Sequence, residues 1–431
     1  PCGTLFPYTT LFRSAGDGYL VLLGDDEPFQ FEGPYEGPPA NIPVGTLHDQ
    51  WDAITGDTWT NYYIEDRKLE RYYSSDFSIR KSDAKGSMNA VHAFLREQGM
   101  RWYFPGDIGT ITPKKSAIFV EQGSTLVNPD FPMRDFYIYY QRFENLDNGA
   151  EEPEKTKDFF KWVMSLGESS VDEYIGGSFI HALSDVTERP ETIDEHPEYY
   201  AIWDGKRMDG REGSAIRQDL CSEALLEETI RYTKSMIDTY DLDSVGLMPS
   251  DGFVKASEST PECKARETPQ RGWYGILSDY VWDFINEVAW AIHDDPAYGP
   301  DKRIVCGAYG TYQLPPTELS DPRGFAPNID IILTRATWES ADPVEMARVQ
   351  QATTQWIDEY GIDTLYLYNY YLTNRLNKDS RYDPLYFPHI IEEDLQFFKE
   401  KSRGEYVEVF SNWDGWNLPY DSFVATSLNV Y

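Results

Sequence analysis

From Met133 to the end of the chain, apolar runs of strand length alternate with amphipathic runs of helix length, and this alternation narrows the fold more sharply than any other property. Candidate strands are Arg134 to Tyr140, Tyr174 to Phe179, Tyr199 to Trp203, Ser244 to Met248, Arg303 to Tyr309, Ile329 to Leu333, Thr364 to Tyr370 and Tyr406 to Phe410. Helical stretches between them are Thr156 to Leu166, Glu223 to Tyr240, Tyr274 to His293, Pro343 to Tyr360 and Ile390 to Lys399. A helix between two strands carries the chain back across the sheet, so the strands run parallel. Eight such strands over about 300 residues predict an α/β fold of the (β/α)8 TIM-barrel type, with a doubly wound open sheet as the alternative. Tyr199 to Trp203 is the weakest of the eight, being short and loop-like.

The segment before it reads differently. Gly86 to Pro113 predicts a helix with Met88, Val91, Phe94 and Leu95 on one face, stopped at Gly99. A short strand follows over Met100 to Phe104, closed by Pro105 and Gly106. With strand candidates at Tyr19 to Leu23, Phe77 to Arg80 and Ala117 to Val120, residues 18–130 are expected to form a small α/β domain, and residues 131–431 the barrel. Thr4 to Ser14 resembles translated sequencing-adapter read-through, so residues 1–17 are set aside as an artefact or an unstructured start. The end, Ser427 to Tyr431, stops inside a helical pattern, and the barrel is expected to be truncated there.

Composition bounds the partners. A net charge of -35 over 431 residues argues against nucleic acid or an anionic membrane. An aromatic content of 15% beside so many carboxylates suits carbohydrate, whose C–H faces pack on rings while its hydroxyls hydrogen-bond to acids and amides. Cys2, Cys221, Cys263 and Cys306 form no pair at zinc spacing, so no structural metal is expected. No run reaches membrane-spanning length, and no basic start with an apolar middle is visible. A nucleophile elbow, a phosphate-binding loop, a dinucleotide fingerprint and a zinc-protease helix are all missing, and no cofactor is expected.

In a barrel, chemistry sits just past the carboxyl ends of the strands. Asp251 is the sharpest candidate, because Gly246 to Met248 makes a buried strand and Pro249-Ser250-Asp251-Gly252 turns at its end. Partial enclosure there would raise a carboxyl pKa, as a general acid requires. A glycosidase needs a second carboxylate. Glu408 stands among apolar neighbours on the last strand, where a charge is costly unless paired or functional, and ranks slightly ahead of Glu339, which follows the sixth strand. Substrate-binding candidates are His181, Arg134, Arg142, Tyr309, Arg335, Trp338, Tyr370 and Trp413. Arginines are included because a guanidinium pairs a uronate or sulfate through two hydrogen bonds. His196 to Tyr200, with Asp204-Gly205-Lys206-Arg207, reads as a hairpin over the barrel mouth.

With these residues in hand, the chain resembles a bacterial family known as a domain of unknown function, DUF4838, associated with polysaccharide use and distantly similar to α-glucuronidases and β-hexosaminidases. The resemblance rests on Gly86 to Pro113 with its Arg-Trp-Tyr-Phe-Pro-Gly run. It is supported by Phe131-Pro132-Met133-Arg134, His196 to Tyr200, Gly205 to Arg207, Ser250-Asp251-Gly252 and Gly404 to Tyr431. It implies a small α/β domain before a catalytic barrel. The family often carries several cysteines after Ser-Asp-Gly, where this chain has only Cys263, and the Asp-Glu pair typical of hexosaminidases is replaced by Asp251-Gly252. The expectation is a glycoside hydrolase acting on a complex anionic polysaccharide, extracellular or periplasmic. The alternatives are a carbohydrate-binding barrel without catalysis and a polysaccharide lyase using Tyr309, Tyr370 or His181 as base.

Overall fold

The computed structural model describes residues 11–24, 73–74, 79–80, 85–103, 106–138, 161–162, 164–169, 175, 179–188, 190–240, 242–336, 342–370 and 388–409. Near the start, β1 (Leu11–Gly16) and β2 (Tyr19–Gly24) form a hairpin turned at Gly18, whose φ of 83° suits glycine. Two-residue strands β3 (Tyr73–Ser74) and β4 (Ile79–Arg80) pair with each other. Helix α1 (Gly86–Glu97) packs on the β1–β2 hairpin, fixed by the 3.0 Å ion pair of Arg13 with Glu97, and turns out at Gly99, φ 93°. A minimal hairpin, β5 (Arg101–Trp102) with β6 (Thr110–Ile111), follows, and β7 (Gly123–Val127) completes the order β2-β1-β7. Two expectations change here. The central strand of this sheet lies in the stretch set aside at the start, and residues 117–120 form no strand while Gly123–Val127 does.

The second part is built on a parallel sheet. Its first strand is β8 (Met133–Ile138), which leads toward short helices α2 (Ser184–Thr187) and α3 (Pro190–Glu195) and the hairpin β9 (Ile202–Trp203) with β10 (Lys206–Arg207). Then come α4 (Glu223–Tyr240), β11 (Ser244–Gly246), α5 (Pro261–Lys264), α6 (Ser278–His293), β12 (Arg303–Ala308) and β13 (Ile329–Ala336). After α7 (Pro343–Thr354) come β14 (Leu365–Tyr370), α8 (Pro388–Phe398) and β15 (Gly404–Val409). The order is β11-β12-β13-β14-β15-β8, every neighbouring pair parallel.

A closed eight-stranded barrel is therefore not what the described residues form. They form six parallel strands, and nothing among them bonds β8 to β11. The expected third strand is the reason on one side: Tyr199 to Trp203 meets Asp204 and Gly205, with φ of 50° and 74°, and so folds back to pair Ile202 with Arg207 instead of crossing to a parallel neighbour. The expected second strand falls mostly on residues outside the described set.

Strand alternation sorts the side chains cleanly. Ile304, Cys306, Ile331, Leu333, Leu365 and Leu367 face the helices and join Val281, Trp282, Ile285 and Ile292 of α6 in the main core. Burying each large apolar side chain contributes roughly 1.5–3 kcal/mol. Val305, Ile332, Tyr366, Tyr368 and Tyr406 line the opposite, inner face with Met133 and Phe179. Two buried indoles fix the loop after β12: Trp282 donates to the carbonyl of Tyr312 at 2.9 Å and Trp356 to that of Gln313 at 3.0 Å. The first part meets the second where Trp162 Nε1 donates to the Trp102 carbonyl at 3.0 Å. A disulfide joins Cys221 to Cys263, Cα atoms 5.9 Å apart.

Candidate functional site

Four side chains gather past the carboxyl ends of β11 and β12. Asp251 turns the chain out of β11, its Oδ1 accepting from the Gly252 N–H at 2.7 Å, with Gly252 at φ 74°. Tyr309, the residue after β12, donates its hydroxyl to the same Oδ1 at 3.2 Å. His181 Nε2 lies 3.9 Å from it, and the imidazole meets the Tyr309 ring edge-on at 6.1 Å. Arg217 completes the group from the strand-like stretch beside the hairpin, with Nε 3.3 Å from the Gly252 carbonyl.

Each is held from behind. His181 adopts φ 54°, a left-handed conformation that costs a non-glycine residue about 1–2 kcal/mol. Its Nδ1 bonds the Pro249 carbonyl at 2.7 Å. Burial lowers its pKa, opposed by the Pro249 carbonyl and the Asp251 charge, and so favours the uncharged imidazole. Beneath Asp251, the fully buried Gln218 accepts from the Ser250 N–H at 3.1 Å and donates to Ser250 Oγ at 2.6 Å and Thr187 Oγ1 at 2.8 Å. Ser184 reaches the same Ser250 hydroxyl at 3.0 Å. Such a satisfied buried network sets the position of the turn. Tyr312, 1% exposed, has a buried hydroxyl without a hydrogen-bond partner among the described residues, and burial raises its pKa well above the usual value, with Cys306, Tyr309 and Asp251 adding to the effect.

The apolar enclosure expected around Asp251 is not there, since its side chain is 68% exposed. The arginines divide. Arg134 bonds the carbonyls of Phe131, Pro132 and Gly167 at the amino end of β8, away from the carboxyl ends. Arg335 faces the helices. Its Nε and Nη2 donate to Asn369 Oδ1 at 3.0 and 2.8 Å, and Nη1 lies 2.6 Å from Asp394 in an ion pair whose angle does not suit a hydrogen bond. Asn369 in turn donates to Glu405 at 2.7 Å. Both arginines hold the fold together. Tyr370 ends β14 on the inner face, 5.0 Å from the ring of Tyr368. Glu408 lies in β15, paired with Tyr370 on one side and Tyr137 on the other, with its side chain outside the described set. Arg142, Trp338, Glu339 and Trp413 also lie outside the described residues.

Sequence reasoning missed Arg217, Gln218 and Asp135, a carboxylate 1% exposed in β8 opposite Tyr406. It also missed the disulfide, which stands beside Asp219; the Asp219, Cys221 and Cys263 ligand atoms lie within 4.8 Å of one another. No family model matches the chain, and no curated protein matches it.

Proposed function

We propose that the protein is a glycoside hydrolase acting on a complex polysaccharide, with Asp251 as one of its catalytic carboxylates. The supporting observation is the meeting of Asp251, Tyr309 and an uncharged His181 past the carboxyl ends of adjacent parallel strands, where ligands bind in open α/β sheets. Tyrosines on the inner face offer rings for sugar C–H faces and hydroxyls for sugar oxygens. Strand order bears on the second carboxylate. Glu339 follows β13, two strands from β11, while Glu408 lies on β15, four strands away. At about 4.8 Å per strand, β13 lies roughly 10 Å along the sheet from β11 and β15 roughly 19 Å, so the strand that leads to Glu339 is the nearer of the two. The Cys221–Cys263 disulfide supports an oxidising, extracellular or periplasmic setting.

A second reading is a polysaccharide lyase. It is favoured by the neutral His181 beside Tyr309, since either can take the proton alpha to a uronate carboxyl. Purified protein incubated with a panel of plant and algal polysaccharides, with products read by mass, separates the two. Products that have gained water, and that vanish in Asp251→Asn, support hydrolysis. Unsaturated, ultraviolet-absorbing products would establish the lyase instead, and binding without any product would leave a carbohydrate-binding protein.

A further inference from the structure

Arg217 is a half-buried guanidinium with no carboxylate within 4.0 Å among the described residues, in a chain whose net charge is -35. Its bonds go to neutral carbonyls: Nε to Gly252, and Nη1 to Ile216 at 2.5 Å. Nη2 meets no acceptor among the described residues, and it lies so close to Gly252 that a Cβ there would come within 2.7 Å of it. Burial is the largest influence on Arg217 and lowers its pKa, while Asp251 and Glu188 oppose from a distance that closes no ion pair. The Trp203 ring lies 5.9 Å from its Cζ, and the indole N–H of Trp203 is buried without an acceptor among the described residues. A guanidinium nitrogen left without an acceptor, half-buried beside the Asp251 turn, defines a place for an anionic one.

We propose that Arg217, braced by the Trp203 ring, forms the subsite that recognises the anionic substituent, carboxylate or sulfate, of an acidic sugar presented to Asp251. The proposal rests on the carbohydrate reading of the site and names its substrate class. It also reassigns the role expected of Arg134 and Arg335, both committed to the fold. Two guanidinium nitrogens anchored to carbonyls hold the third in place, so the cation is pre-organised for its ligand and little side-chain entropy is lost on binding. Its contact with the Gly252 carbonyl puts the bound acidic group one residue from the Asp251 carboxylate.

The test is ligand-observed NMR titration of the whole chain with glucuronate, galactose 6-sulfate and glucose, for the unaltered protein, Arg217→Gln and Arg217→Lys. The unaltered protein should bind at least one acidic sugar about tenfold or more tighter than glucose, as a charge-assisted hydrogen bond allows. Whether glucuronate or the sulfate leads identifies the substituent. Arg217→Gln should erase the preference while leaving glucose binding in place, and Arg217→Lys should keep part of it, which also serves if the glutamine variant fails to fold. Equal binding of acidic and neutral sugars, or a preference that survives Arg217→Gln, would overturn the subsite and leave the carbohydrate reading standing. Binding of no sugar at all would overturn both.

Discussion

Two places on the parallel sheet gather charged and polar side chains, and they do so in opposite ways. On the helix-facing side, Arg335, Asn369, Asp394 and Glu405 close on one another, with Arg335 and Asp394 only 3% and 4% exposed. Past the strand ends, Asp251, His181 and Arg217 stay open: the histidine is 3.9 Å from the carboxylate, Arg217 closes no ion pair among the described residues, and Asp251 is 68% exposed. The first arrangement spends its charges on itself. In the second, charge and hydrogen-bonding capacity remain for something else. The same residue types thus serve structure in one place and chemistry in the other, and the difference lies in whether each polar atom already has its partner.

Substitutions can break this contrast or sharpen it. Asp251→Asn should lower turnover by about 10²- to 10⁴-fold, the range for a lost acid–base group, and lower stability in a urea titration by no more than about 0.5 kcal/mol. Turnover that survives would remove Asp251 from the mechanism. Arg335→Leu should do the reverse: it strands Asp394 in a buried site, so stability should fall by about 3–5 kcal/mol in the same urea titration. A small change there would mean that the closed network was never paired tightly. Replacing Cys221 and Cys263 together by serine frees a loop of sequence separation 42, and should lower stability by about 2–4 kcal/mol. A thermal melt with and without reductant gives the same reading in the unaltered chain.

The smallest effect should come from pH. His181 binds its proton less readily in the folded chain than in the unfolded one, because burial lowers its pKa from 6.5. The unfolded chain therefore takes up more protons just below that value, so stability declines as pH falls through 6.5 and recovers above it. Urea midpoints compared between pH 7 and pH 5 should show a smaller decline in His181→Gln. An equal decline would show that the imidazole is not buried as described.

Much of the parallel sheet was legible because its strands are apolar runs bounded by turns. Ser244 to Gly246, Arg303 to Ala308 and Leu365 to Tyr370 fall where the pattern placed them, and α4 matches Glu223 to Tyr240 end to end. What failed was whatever depends on neighbours far away in sequence. Tyr199 to Trp203 has the same alternation whether it crosses to a parallel strand or bends back on itself, and only the Asp204-Gly205 turn decides. Arg335 carries the group that an acidic sugar would need, but a period of two along β13 sends it to the helix side with Leu333. At the site, Asp251, His181 and Tyr309 were readable from strand ends. Arg217 and Gln218 were not, because they lie in an irregular stretch with no periodicity to interpret. Nor does a separation of 42 residues announce a disulfide.

The pairing of β15 with β8 has a consequence for how the chain is made. Gly404 pairs with Met133, so the strand that begins the sheet takes as its neighbour the strand that ends it. At a synthesis rate of about 5–20 residues per second, on the order of tens of seconds pass between the two leaving the ribosome. Through that interval one edge of β8 is bare, with its amide and carbonyl groups ready to pair with any passing strand. Final assembly of the sheet must therefore wait until β15 has been made, and slower elongation lengthens the time in which a wrong partner can be found.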